Sequence, residues 1–318
     1  MMHESDLLIA GCTFACGLAF GMVYAMTQAT EQRAAVASAP AAQIVPVDKP
    51  TAPTGSDAFS RPGWTMAEAR ELADEGQKAA FKRAPKEVLE ALQRGNVRFW
   101  TGTATRPEKS AFERRALINK QFPSTAILSC ADSRVPTEIV FDQHLGDMFV
   151  VRCAGNAATE TTVGSLQYAV NHLKVKVLLV MGHEGCGAVK AAGLPEAALR
   201  GEPSQLCNCL LALKDGLDFD KLRCIEDTRA HDREAVISNV KQQVMALTRD
   251  ASIMKKVNAK ELMIVGGFYE ISSGIVDFFF EVAGVEDLPS RGVDSVFDPK
   301  KGMERQASGE TNAVRMVK

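Results

Sequence analysis

The chain has 318 residues, enough for one sizeable domain with appendages or for two small ones, and its 46% hydrophobic content can supply a core. Lys and Arg nearly match Asp and Glu, the net charge is -2 and no basic block stands out, so nucleic-acid binding has no electrostatic support. Eight cysteines at irregular spacing are too few for a disulfide scaffold and fit a compartment that keeps thiols reduced.

Residues 7–26, from Leu7 to Met26, carry no charge. A helix of that length spans ~30 Å, the thickness of a bilayer core. Glu4 and Asp6 precede it and no Lys or Arg does, unlike a cleaved signal peptide. Residues 1–26 are therefore expected to be a retained membrane anchor, with a cleaved organelle-targeting sequence as the alternative. Thr13, Gly17, Gly21 and Ala25 form a small-residue stripe of the kind that lets membrane helices approach closely. Arg33 follows the span, which places the main domain on the cytoplasmic side. Residues 27–62, with prolines at 40, 46, 50, 53 and 62, read as an extended tether.

A domain over residues 63–286 follows. Thr65 to Lys82 has a helical pattern with Met66, Ala69, Leu72 and Ala73 on one side. Pro85 suits the first position of the next helix, which carries Val88, Leu89, Leu92 and Val97 and is expected to be interrupted at Gly95-Asn96. Short apolar runs then occur at 125–128, 148–151, 175–181 and 262–265. Helical patterns lie between them, notably 162–173 and 234–247. Continuous apolar strands alternating with helices predict an α/β fold: a mainly parallel β-sheet of four to five strands flanked by helices. Residues 287–318 read as an irregular tail.

Two motifs carry the chemistry. Cys130-Ala131-Asp132-Ser133-Arg134 follows the first predicted strand, and His183-Glu184-Gly185-Cys186-Gly187 follows the third. In open parallel sheets ligands bind beyond the carboxyl ends of the strands, so Cys130 and His183 are placed along one edge, with Cys186 one turn further on. Two thiolates and an imidazole make three ligands for a zinc ion that takes four, which is the pattern of an open, catalytic site. Asp132 beside such a metal serves either as a ligand or as acceptor of a hydrogen bond from bound water. Arg134, bonded to it, would hold it in place.

With these motifs in view, the chain resembles a β-class carbonic anhydrase from about Pro85 to Phe280. The matching segments include Gly95-Asn96-x-Arg98-Phe99, the Cys-x-Asp-Ser-Arg motif and Gly146-Asp147-x-Phe149-Val150-Val151-Arg152. They continue through Ala154-Gly155-Asn156, Ser165-Leu166-x-Tyr168-Ala169-Val170 and Gly182-His183-x-x-Cys186-Gly187-Ala188-Val189. Two departures are Cys153, where the family commonly has asparagine, and Leu145, where it commonly has proline.

The resemblance implies one zinc ion per chain on Cys130, His183 and Cys186, with Asp132 and Arg134 as the catalytic pair. Gln121, Phe149 and Tyr168 match the pocket residues of the plant-like open subtype, and Gly187 of the second motif is assigned to the same substrate pocket. The implied activity is reversible hydration of carbon dioxide to bicarbonate and a proton. Zinc lowers the pKa of bound water to ~7, and Asp132 would orient the resulting hydroxide. The resemblance also implies a homodimer or a dimer of dimers. The competing readings are hydrolysis of carbonyl sulfide or carbon disulfide at the same site, and a non-catalytic zinc-stabilised scaffold at a membrane. Cys207, Cys209 and Cys224, with His231, are read as ordinary thiols and a structural histidine, not a second metal site.

Overall fold

The structure is a computed structural model that describes residues 65–105 and 109–284. In chain order the helices and strands are α1 (Met66–Lys82), α2 (Pro85–Trp100), α3 (Ala111–Asn119), β1 (Thr125–Cys130), α4 (Thr137–Val140) and β2 (Met148–Cys153). There follow α5 (Glu160–Asn171), β3 (Val177–His183), α6 (Gly187–Ala192), α7 (Glu196–Leu199), α8 (Ser204–Lys214) and α9 (Phe219–Leu222). The last are α10 (Thr228–Thr248), α11 (Ala251–Asn258), β4 (Met263–Tyr269) and β5 (Val276–Val282).

The helix starts are written locally. Thr65 caps α1 by accepting from the Glu68 amide at 3.2 Å, while Glu68 accepts from the Thr65 amide at 3.1 Å. Ser110 and Glu113 repeat this reciprocal box at α3. Pro85 opens α2, where its missing N–H leaves no bond unmade.

The five strands form one sheet in the order β2-β1-β3-β4-β5. The first four are parallel, and β5 runs antiparallel to β4 with a register shift at Gly266/Gly267. Strands β1 and β3 are buried along their whole length. Helices cover both faces, so both sets of alternating side chains must be apolar. Ala126, Leu128, Leu178 and Val180 face one core with α5, α10 and α11. Ile127, Val177, Leu179 and Met181 face the other, with Val88, Leu89 and Leu92 of α2. Between α1 and α3 the buried residues are Ala69, Ala73 and Ala116, a small cluster separate from both main cores.

The sheet has five strands, within the expected four to five, and three details differ from the sequence pattern. First, Gly95-Asn96 does not interrupt α2. Both residues are buried inside it, and a Cβ at Gly95 would lie 1.9 Å from the Phe141 carbonyl oxygen. The glycine marks close approach of α2 to the chain after α4. Second, β5 carries no predicted run. It is an edge strand holding Asp277 and Glu281, so its pattern is neither continuous nor cleanly alternating.

Third, the membrane-anchored reading is withdrawn: no helix among the described residues is long and apolar enough to cross a membrane. The longest helix among the described residues, α10, has 21 residues but carries Arg229, Asp232, Arg233, Glu234 and Lys241. The apolar stretch 7–26, the tether 27–62 and the tail 287–318 lie outside the described residues.

Candidate metal centre

Cys130 ends β1 and His183 ends β3. The two strands are adjacent and parallel with Ser129 level with Met181, so both residues emerge at the same sheet edge. Gly185, at φ +66°, turns the chain back. The Glu184 amide donates to the Tyr269 carbonyl at 2.8 Å and ties that turn to β4. Cys186 then stands immediately before α6. This is the sheet-edge convergence expected from the strand pattern.

The ligating atoms of Cys130, His183 and Cys186 all lie within 4.8 Å of one another, and all three residues are buried. The two sulfurs are 3.9 Å apart. His183 Nδ1 lies 2.9 Å from the Glu184 carbonyl oxygen, which can only accept, so Nδ1 carries the proton. Nε2 therefore presents a lone pair. It is buried and has no hydrogen-bond partner. A buried acceptor left unpaired is costly unless something meets it. Two thiols and an orphaned imidazole nitrogen converging at these distances fit a metal that prefers sulfur and nitrogen, above all zinc.

The Cys186 S–H···S contact to Cys130 is the main reason the Cys130 thiol is pulled down, to about 4, while Cys186 is pushed up. The Gly155 amide also donates to the Cys130 sulfur, at 3.4 Å.

Asp132 follows Cys130 by two residues. Its Oδ1 accepts from the Arg134 Nε at 3.0 Å and the Arg134 backbone amide at 2.8 Å, and its Oδ2 accepts from Arg134 Nη2 at 2.7 Å. These bonds, led by the guanidinium, hold the carboxyl well below the usual carboxylate range. Arg134 Nη2 also donates to the Gly185 carbonyl at 3.3 Å, linking the two motifs. Asp132 Oδ2 stands 3.9 Å from His183 Nε2.

Arg152 lies in a matched segment, and its sequence context alone points to no role. Its Nε donates to the Cys130 carbonyl at 2.9 Å and its Nη2 to the Asp132 carbonyl at 2.5 Å, clamping the backbone of the first motif from β2. A charged residue near the end of an otherwise apolar strand was the available signal.

The pocket residues divide. Gly187 is exposed beside Cys186, with open space around it. Gln121, Phe149 and Tyr168 are not at the cluster. Phe149 pairs with Ala126, four residues before Cys130, which is about 13 Å along the strand. Tyr168 on α5 lies 6.1 Å from the Phe149 ring and stacks on His172 at 5.2 Å. Gln121 is exposed and precedes β1, at the end of that strand opposite Cys130. Phe149 is therefore set apart from Cys130 of the same chain by the register of the sheet, and Tyr168 packs beside Phe149.

Among the other thiols, Cys207 is buried in α8, Cys209 is partly buried and Cys224 is exposed. Cys153 is pushed up to about 11, chiefly by burial, and donates to the Ala157 carbonyl at 3.4 Å. Leu145 is exposed.

A family profile described as carbonic anhydrase matches residues 125–276. Carbonic anhydrase 2 of Mycobacterium tuberculosis is 36% identical over 198 residues, covering 60% of this chain and 90% of the relative. A carbonic anhydrase of Mycolicibacterium smegmatis is 36% identical over 202 residues, covering 61% of this chain and 92% of the relative. The β-carbonic anhydrase of Coccomyxa, solved with acetazolamide, aligns at a TM-score of 0.50 with 23% identity, over 70% of this chain and 97% of that one, a likeness of fold alone. With its Cys–His–Cys cluster set at the edge of this sheet, the chain belongs to the β-class carbonic anhydrase family.

Proposed function

We propose that this chain catalyses the reversible hydration of carbon dioxide to bicarbonate and a proton, with one zinc ion held by Cys130, His183 and Cys186. The observation that carries the proposal is a buried three-ligand cluster beside a carboxylate already gripped by an arginine. Zinc bound there would lower the pKa of water to ~7 and so supply a nucleophile at neutral pH.

The protein's own residues do the rest. Asp132 stays ionised and can only accept hydrogen bonds, so it can accept one from the attacking group and thereby aim a lone pair at the carbon. Arg134 occupies both Asp132 oxygens, which supports the open-site subtype. The Glu184 carbonyl fixes the His183 tautomer, and Arg152 fixes the backbone that carries Cys130 and Asp132. A closed structural centre has no use for such a carboxylate–guanidinium pair, which favours catalysis over a scaffold role.

The assembly unit is a homodimer in which a second copy brings Gln121, Phe149 and Tyr168 to the cluster. Three observations support this. These residues lie away from their own chain's ligands, β2 is an edge strand with partly exposed side chains, and α1 and α3 bury little between them. Phe149 and Tyr168 would form an apolar wall suited to an uncharged gas. Gln121 would donate to a substrate oxygen as charge develops on it.

Stopped-flow assay of the zinc-loaded chain with carbon dioxide, carbonyl sulfide and carbon disulfide tests the reading. Carbon dioxide is expected to be turned over fastest. Preferential turnover of either sulfur compound, or no turnover of any by zinc-replete protein, overturns it.

A further inference from the structure

The helix α10 buries an apolar stripe that includes Val236, Val240 and Val244, yet two amides, Asn239 and Gln243, are buried beside it, Asn239 completely. Burying an amide is unfavourable unless its polar atoms are met. Here they are met in a fixed direction. The Ala158 backbone N–H can only donate, and it reaches Gln243 Oε1 at 2.8 Å. Gln243 Nε2 must then be the donor to Asn239 Oδ1 at 2.9 Å. Asn239 Nδ2 in turn donates to the Gly155 carbonyl, which can only accept, at 2.9 Å. The relay leaves neither amide free to flip.

It ends on the residue whose amide touches the first metal ligand. Gly155 sits at φ +67°, a left-handed conformation that glycine adopts without penalty. A Cβ there would lie 2.5 Å from a methyl of Leu213 in α8. The turn is thus held on one side by Leu213 and on the other by the relay. Its N–H points at the Cys130 sulfur, 3.4 Å away.

We propose that Asn239 and Gln243 are positioning residues for the metal centre. They lock the Gly155 turn so that its peptide N–H stays on the Cys130 sulfur, and so set how strongly that sulfur donates to bound metal. The inference rests on the reading that zinc binds at Cys130, His183 and Cys186. A hydrogen bond to a ligating thiolate draws electron density away from the metal and fixes the ligand's orientation. Partners of this kind govern affinity as well as activity.

The test uses the full chain loaded with Co2+ or Zn2+, comparing wild type with Asn239→Leu, Gln243→Met and the control Val244→Ala. Val244 is fully buried in the same helix but outside the relay, so its truncation reports plain loss of packing. Losing the N–H···S bond raises the energy of the sulfur lone pair. The sulfur-to-cobalt charge-transfer band should therefore move to longer wavelength in both relay variants. The freed turn no longer fixes the orientation of the ligand, and this loss, which outweighs the stronger donation, should weaken zinc affinity, read by chelator competition, about tenfold. Val244→Ala should lower Tm with band and affinity unchanged. If Asn239→Leu fails to fold, Gln243→Met carries the test from one hydrogen bond further away. Relay variants with the wild-type band and affinity overturn the proposal. A wild-type chain that takes up neither metal overturns the underlying site reading first.

Discussion

The Arg134 guanidinium bonds both carboxylate oxygens of Asp132, at 3.0 and 2.7 Å. One of those oxygens stands 3.9 Å from the unpaired Nε2 of His183. The carboxylate is therefore next to the cluster but already engaged. A two-pronged, charge-assisted grip is among the stronger interactions available to a carboxylate. It would favour Asp132 as an acceptor of hydrogen bonds over Asp132 as a fourth ligand.

Replacing Asp132 by Asn should leave zinc bound and reduce carbon dioxide hydration by ~100-fold or more. Metal content and stopped-flow rate, measured on the same preparation, check this. Near wild-type turnover would remove the assigned role.

The pH dependence follows from the same pair. Asp132 has its pKa depressed in the fold, chiefly by the Arg134 side chain. Its ionised form is thus favoured above the unfolded value of ~4, and that favour is lost only as pH falls through the lower folded value. Arg134→Ala should return Asp132 toward ~4 and move the acid limb of kcat/KM to higher pH. An unmoved acid limb would mean that Asp132 does not control it.

Metal removal should destabilise the fold. A ligand present at a thousandfold its Kd adds about 4 kcal/mol of stability by mass action. Stripping zinc with a chelator should therefore lower Tm, and zinc should restore it. Cys186→Ser should melt near the stripped wild type and gain nothing from added zinc. Unchanged zinc content in that variant would show the ligand to be misassigned.

Asn96→Ala tests the joint between α2, the end of α4 and the start of β5. Asn96 donates to the carbonyls of Val140 at 3.2 Å and Gly274 at 2.9 Å, and accepts from the Val276 amide at 2.9 Å. Truncation strands three buried backbone groups and should cost about 3 kcal/mol. Urea unfolding of the metal-loaded protein reads it directly.

The shared site predicts complementation between dead variants. Cys186→Ser removes a ligand, and Gln121→Ala removes a pocket donor expected to serve the other copy. Mixed in equal amounts and allowed to exchange, they should recover about a quarter of wild-type activity, since half the dimers carry one intact site of two. No recovery, with exchange confirmed by mass, would place Gln121 and the ligands in independent units.

Much of the sheet was legible because burial on both faces demands apolar residues at every position. The runs at 125–128, 148–151, 175–181 and 262–265 fall on β1 to β4. Strand β5 escaped because an edge strand can carry Asp277 and Glu281 without loss. Gly95-Asn96 was misread because a glycine and an asparagine lower helix propensity locally. Here a close carbonyl and three hydrogen bonds override that preference.

By itself the sequence determined the family, the parallel sheet and the Cys–His–Cys cluster, because these depend on residue types at short spacings and on strand ends brought together by one sheet. Tertiary structure decided the rest. Sheet register carries Phe149 away from Cys130 within one chain, although both belong to matched motifs. Packing of α10 brings Asn239 and Gln243, more than eighty residues beyond Gly155, onto the turn whose amide bonds the Cys130 sulfur. Such long-range contacts are set by how helices seat on the sheet, and no local pattern of residues encodes them.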